Sequence, residues 1–278
     1  MNYFKKEFFQ TLVILKEYLS DIVIAGGWAP LIYYHYFLSD KERMPLRTKD
    51  IDIVIPRTLE IRGNNPIDEL LAEAGFKIRF KSLHVDPAVS YEGKIGDFEV
   101  EIEFLTHQKG AGEEQVIKVQ DGLQAQSLRY ISILLDNAVE AIIDDFLFDD
   151  GEKLRIKVPS PGSYVFQKGL TFSRRTLEVK KSKDLYYIFD VLSQDLGWTA
   201  SIASEFARFN VNYSPKWIRR FIREIKENFQ DINSKGVGQV LSQRPADHLP
   251  HLNEDQFRQY VLSTFQDFIG NIERIIND

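Results

Sequence analysis

Cysteine is absent from the 278-residue sequence. That excludes disulfides and cysteine-ligated metal sites, and it fits a reducing cytoplasm. No stretch of about 18 apolar residues occurs, so no transmembrane segment is expected. The N-terminal "MNYFKKEFFQTLVILKEYLS" lacks the continuous apolar core and small-residue cleavage site of a secretory signal. Its Phe4, Phe8, Leu12, Leu15 and Leu19 instead recur at helical spacing and predict an amphipathic helix. Internal repeats and low-complexity segments are missing as well. Histidine is scarce: of His35, His84, His107, His248 and His251, only the last two lie close together, in a Pro-containing loop, so no histidine metal centre is expected. A soluble, cytoplasmic protein is the expectation. With 44% hydrophobic and 27% charged residues it has the composition of a globular chain, and its length suits two domains.

Negative charge is in excess, with a net value of −6, but unevenly. Residues 1–150 carry 16 Lys and Arg against 26 Asp and Glu, whereas residues 151–226 carry 15 against 7. An acidic first half joined to a basic middle suits a metal-binding part and an anion-facing part.

"DIVIAGGWAPLIYYHYFL" reads as a short strand over 22–25, a Gly26-Gly27 turn and a helix running through Phe37. "NNPIDELLAEAGF" predicts a helix capped by Asn65, with Pro66 at its first position and Gly75 closing it. "KIRFKSLHV" and "VSYEG" read as short strands, and the spacing over Leu128–Phe148 predicts a helix. A domain boundary is placed near Asp150. Beyond it the pattern is mostly helical, with segments near 161–172, 180–196, 199–209, 215–229 and 255–276 and a loop between the last two.

Two stretches bear chemistry. In "TKDIDIVIP", Ile51, Ile53 and Ile55 alternate with Asp50, Asp52 and Val54, the period-two pattern of a half-buried strand. Asp50 and Asp52 therefore point the same way, about 6.6 Å apart at ~3.3 Å per residue, although aspartate is depleted from strands. Two carboxylates so placed call for a cation between them. In "DFEVEIEFLT", Phe98, Val100, Ile102 and Phe104 form one face and Glu99, Glu101 and Glu103 the other.

A Gly-Gly turn, an Asp-x-Asp strand and a later acidic strand resemble the nucleotidyltransferases of the DNA polymerase β superfamily. "AGGWAPLIYYHYFL" and "RTKDIDIVI" match the first two parts, and "VEIEFLT" the third, with Glu103 before Phe-Leu-Thr and Glu101 as its competitor on the same face. "VPSPGSYVFQKGLTFSRRTLEVKKSKDLYYIFDVL" is similar to the helix pair of bacterial nucleotidyltransferase-like proteins that include the AbiEii-type toxins, through Lys168, Arg174, Arg175, Lys183, Asp184 and Asp190. The likeness spans about residues 20–195. The 22 residues between Gly27 and Asp50 exceed the spacing in compact members, so a loop around Ser39–Arg47 is expected.

The resemblance implies an α+β fold: a nucleotidyltransferase mixed sheet with flanking helices over 1–150, then a mainly α-helical domain over 151–278. It implies transfer of NMP from an NTP to an acceptor hydroxyl with release of pyrophosphate, and a toxin–antitoxin setting is among its associations. Asp50, Asp52 and Glu103 or Glu101 would be the Mg²⁺ ligands, and that glutamate, beside the attacking hydroxyl, could accept its proton; Asp50, Asp52, Glu103 and Lys168 would be the catalytic residues. Gly26, Gly27, Thr48, Lys49, Lys168, Arg174 and Asp184 would be nucleotide-binding, with Lys168 offsetting triphosphate charge and Asp184 either orienting Lys168 or Arg174 or touching substrate.

On "PKWIRRFIREIKENF", Lys216, Arg219, Arg220 and Arg223 share one helical face while Trp217, Phe221 and Ile225 point inward. With Arg175 they are candidate acceptor contacts, fitted to RNA phosphates, or else a solvated face paired with Glu224 and Glu227. Two rival functions stand beside nucleotidyl transfer: a toxin-like phosphotransferase using the same pocket, and a non-catalytic nucleotide- or RNA-binding module.

Overall fold

The computed structural model describes residues 3–40, 46, 48, 50–80, 89–110, 112, 116–144, 153–194 and 196–277. Residue 150, where the sequence reading sets its boundary, lies outside them. The chain divides into two compact units, Met1–Ser160 and Pro161–Asp278.

The first unit opens on the expected helix, α1 (Tyr3–Ile14), with Phe8, Phe9 and Leu12 buried. Strand β1 (Val23–Ile24) runs through Gly26-Gly27 into α2 (Trp28–Ile32), which widens into a π-helical turn over Tyr33–Phe37. Trp28 lies flat on Phe8 at 3.8 Å between ring centroids, and Tyr33 donates to the Pro159 carbonyl at 2.8 Å. These contacts fix the direction in which the chain leaves the Gly-Gly turn. After β2 (Asp50–Val54) come α3 (Ile67–Glu73), β3 (Lys77–Phe80), β4 (Val89–Ile95) and β5 (Phe98–His107). Pro66 sits at the cap of α3 rather than in its first turn, and Asn65 bonds the Glu73 side chain instead.

The strands order as β1-β2-β5-β4-β3. β2 runs parallel to the centre of the sheet, β5, and β4 runs antiparallel to it. Beyond the Val89 end of β4, β7 (Gln124–Leu128) pairs with β5 in parallel and carries β6 (Val116–Lys118) as its hairpin partner. One sheet face is apolar: Ile51, Ile53, Tyr91, Val100, Ile102 and Phe104 are all buried. The other face changes character along its length. Val54 and Leu105 pack with Val23 and Ala25 under Ile131 and Leu134, around the short α4 (Ser132–Asp136). The positions preceding them on β2 and β5 are carboxylates.

Among the described residues of Leu128–Phe148, the predicted helix is not formed. Only α4 is helical, because Asn137 leaves helical geometry and its side chain donates to the Ile133 carbonyl. β8 (Ala138–Ile143) then pairs antiparallel with β9 (Leu154–Pro159), a strand the sequence reading did not anticipate. Ala141 and Ile143 are buried while Glu140 and Ile142 are exposed, a period-two pattern that a partner strand can satisfy and a helix cannot.

The second unit is helical: α5 (Pro161–Thr171), α6 (Glu178–Leu192), α7 (Leu196–Asn212), α8 (Pro215–Asn228), α9 (Lys235–Ser242) and α10 (Glu254–Asn277). α9 falls in the stretch read as loop. Two glycines lower its propensity by about 1 kcal/mol each, and burial of Val237 and Val240 offsets that. The expected α+β class, a mixed sheet with flanking helices and a helical C-terminal region, is met. Among the described residues, no helix is long and apolar enough to cross a membrane.

α5 and α8 approach closely because residue 169 is glycine: a Cβ there would overlap the Phe221 ring. Gly169→Val is expected to destabilise the protein by about 1–3 kcal/mol through overpacking, read as a lower midpoint in a urea melt.

Candidate active site

The parallel register of β2 and β5 sets Asp50 against Glu101 and Asp52 against Glu103. Paired residues share a sheet face, with neighbouring strands about 4.8 Å apart. The four carboxylates therefore form one half-buried patch, two from each strand. On its far side β4 continues the row, with Ser90 opposite Glu103, Glu92 opposite Glu101 and Lys94 opposite Glu99. Arg79 of β3 donates to both oxygens of Glu92, at 2.7 and 3.0 Å. Ser90, Glu92, Lys94 and Arg79 were not singled out in the sequence. The polar alternation of "SYEGK" was the available signal, but which strand it faces is a matter of pairing.

The Gly-Gly turn closes one end of the patch. The amide of Ala25 donates to the Asp52 carbonyl at 2.8 Å, and Gly26 follows with φ +60°. A Cβ on Gly26 would overlap the Asp52 carboxylate, with Cγ only 2.8 Å away. Glycine is thus required twice, by the left-handed backbone and by the approach of a carboxylate. Gly27 caps α2. Gly26→Ala is expected to lower kcat/KM for nucleotide about 10²-fold, the scale of a 1 Å misplacement at a reacting centre, while circular dichroism stays native; pyrophosphate release measures it.

Beyond the opposite end of the patch lies an open cavity of about 720 Å³, lined by Asp50, Glu101, Glu99, Glu92, Arg79 and Lys94. Thr48 precedes it, half-buried, and Lys49 lies outside the described residues, as does most of the expected 39–47 connection. Among the described residues, no three His, Asp or Glu side chains form a ready-made metal cage.

Three other predicted residues meet inside the helical unit. Lys168 on α5 is buried, with Nζ 2.6 Å from Asp184 Oδ1 and about 5 Å from the ring centroids of Tyr164 and Tyr187. Arg175, rather than Arg174, takes the second oxygen of Asp184 at 2.8 Å. Arg174 is exposed at the end of a 3₁₀ turn. Burial pushes the Asp184 carboxyl up, but Lys168 and Arg175 outweigh it and hold it below the ordinary carboxylate range.

On α8, Lys216, Arg219 and Arg223 are exposed. Arg220 is half-buried, 3.6 Å from Glu224, and Arg223 lies 3.9 Å from Glu227. The exposed Arg223–Glu227 pair contributes little energy. The buried stripe is Ile218, Phe221 and Ile225; Trp217, expected to point inward, is half-buried and stacks on Tyr213 at 5.7 Å.

The chain belongs to a nucleotidyltransferase family, whose model matches residues 18–195. It is accordingly a transferase, with an NTP as substrate. Two solved structures are similar in outline. JHP933 from Helicobacter pylori has 11% identity and a TM-score of 0.42, with 99% of this chain and 95% of that one covered. A candidate nucleotidyltransferase from H. pylori has 10% identity and a TM-score of 0.43, with 99% and 98% covered. No curated protein matches the chain.

Proposed function

We propose that the carboxylate patch is the catalytic centre of a Mg²⁺-dependent nucleotidyltransferase of the polymerase β kind, which moves NMP from an NTP to an acceptor hydroxyl. The observation that carries this reading is the seating of Gly26 against Asp52, beside the register pairs Asp50/Glu101 and Asp52/Glu103. The donors are all oxygen, which suits a hard cation, and Mg²⁺ is commonly held by one or two carboxylates completed by phosphate oxygens. Asp50 and Asp52 fit that requirement without a third protein ligand. Glu103, opposite Asp52, is placed to support them. When bound, Mg²⁺ would neutralise charge on the reacting phosphate and on the attacking and leaving oxygens.

The chain's own residues then divide the work. Gly26 and Gly27 bring backbone close to the phosphates at the Asp52 end. At the Asp50 end Glu101 lines the cavity, where its carboxylate can accept the acceptor's proton. The acceptor oxygen bonds to the α-phosphorus, the bond to the bridging oxygen breaks, and pyrophosphate leaves. Within the helical unit, Asp184 holds Lys168 and Arg175.

Incubation with α-labelled NTPs tests this. Mg²⁺-dependent release of pyrophosphate, with the label on NMP or on an acceptor, is expected. Label transferred from the γ-position instead identifies a phosphotransferase. Nucleotide binding without turnover identifies a non-catalytic module.

A further inference from the structure

Across the polar face of the sheet one row runs Asp52, Glu103, Ser90, Arg79, with one residue each from β2, β5, β4 and β3. Three of the four are charged, and the fourth is a serine that is 0% exposed. Its hydroxyl oxygen is buried and has no hydrogen-bond partner among the described residues. Burying a hydroxyl in that way is unfavourable, and alanine would fill the same strand position without the penalty. We propose that Ser90 is a positioning residue of the metal centre, its hydroxyl donating to the Glu103 carboxylate when that carboxylate turns to Mg²⁺. This rests on the catalytic reading given above.

Geometry selects the acceptor. Residues directly opposite in an antiparallel pair have Cβ atoms about 4.5–5.5 Å apart, so Glu103 lies within reach of a hydroxyl at position 90. Arg79, the register partner on the other side, sends its guanidinium to Glu92 instead. A carboxylate has two oxygens and about four acceptor positions. Glu103 can therefore take this bond in addition to its other contacts.

Chemistry gives the bond its use. Carboxylates that serve a metal are themselves hydrogen-bonded, and those outer partners fix the orientation of the ligand. Ser90 suits that role because β4 is paired on both sides, with β3 and with β5, and so carries the hydroxyl on rigid backbone. Its burial also keeps water from competing, and a hydrogen bond to a charged acceptor is stronger in such surroundings.

Ser90→Ala removes one oxygen and nothing else, so the fold is expected to survive. In the full chain it should raise the Mg²⁺ concentration for half-maximal pyrophosphate release about 10–100-fold, the usual effect of losing an outer partner. The kcat at saturating Mg²⁺ should be retained. Independently of turnover, thermal stabilisation by Mg²⁺ with a non-hydrolysable NTP should need correspondingly more metal. The metal-free melting temperature should stay level or rise, whereas loss of a purely structural hydroxyl would lower it. In a Glu103→Ala background, Ser90→Ala should add less than about twofold, because the group it acts through is gone. An unchanged Mg²⁺ requirement, or the same loss with and without Glu103, would overturn the assignment and leave the metal centre standing. A wild-type protein with neither Mg²⁺-dependent turnover nor Mg²⁺-dependent stabilisation by nucleotide would sink the catalytic reading, and the role of Ser90 with it.

Discussion

Asp52→Ala is expected to reduce nucleotidyl transfer by at least about 10³-fold, roughly 4 kcal/mol of transition-state stabilisation at ~1.4 kcal/mol per decade. Asp50→Ala should do the same, because in the proposed centre the two aspartates share the metal and losing either removes half of its protein ligands. Neither change removes core packing: both side chains are half-buried and project from the polar face, while Ile51 and Ile53 between and beyond them stay buried on the other. The variants should therefore remain folded by circular dichroism. A readout independent of activity is thermal denaturation. Mg²⁺ with a non-hydrolysable NTP should raise the wild-type melting temperature through linkage and leave both variants unmoved. Full turnover by Asp52→Ala, or equal metal stabilisation of all three proteins, would place the metal elsewhere.

The same series separates the two glutamates. Glu101 lines the cavity beside Asp50, whereas Glu103 faces Asp52 and Ser90. Glu101→Gln should lower kcat and flatten the acidic limb of the pH–rate profile, because a proton acceptor that must be ionised has been removed. Glu103→Gln should instead weaken Mg²⁺ dependence and keep the limb.

Much of this geometry was legible along the chain and little of it across the chain. Asp50 and Asp52 announce themselves because a strand pattern rejects aspartate, and Glu99, Glu101 and Glu103 because they alternate strictly with apolar residues. That Asp50 meets Glu101 and Asp52 meets Glu103 was not legible, since a one-residue slip in register would turn an entire face over. The cavity needs four elements at once and leaves no local trace. The region after Leu128 shows the opposite failure. Ile131, Leu134 and Leu135 have helical spacing, yet only Ser132–Asp136 is helical. Past Asn137 the chain pairs with Leu154–Pro159, and tertiary pairing overrides local periodicity. Lys168 and Asp184 were visible as family-like residues, but the partner chosen by Asp184, Arg175 over its neighbour Arg174, depends on the direction of a single turn.

Asp184→Ala should destabilise the protein by about 3–5 kcal/mol, the usual effect of removing one member of a buried ion pair. Lys168 has a side chain only 9% exposed and sits between two tyrosine rings, so it loses its counter-ion without gaining water. Arg175, at 43% exposure, can turn outward and suffers less. Replacing both buried partners, Lys168→Met with Asp184→Leu, should recover most of the loss, because an apolar pair leaves no stranded charge. The wild-type protein carries the same information in its pH dependence. The folded-state pKa of Asp184 lies below its unfolded value, so its contribution is fully present above the unfolded pKa and is lost as pH falls through the folded one. Urea melts should show stability declining with acidification from about pH 5 downward. The decline should be shallower in the Met/Leu double variant, which has no carboxylate there to protonate. A double variant no more stable than Asp184→Ala, with an unchanged acid slope, would mean that the pair does not hold the helical unit together.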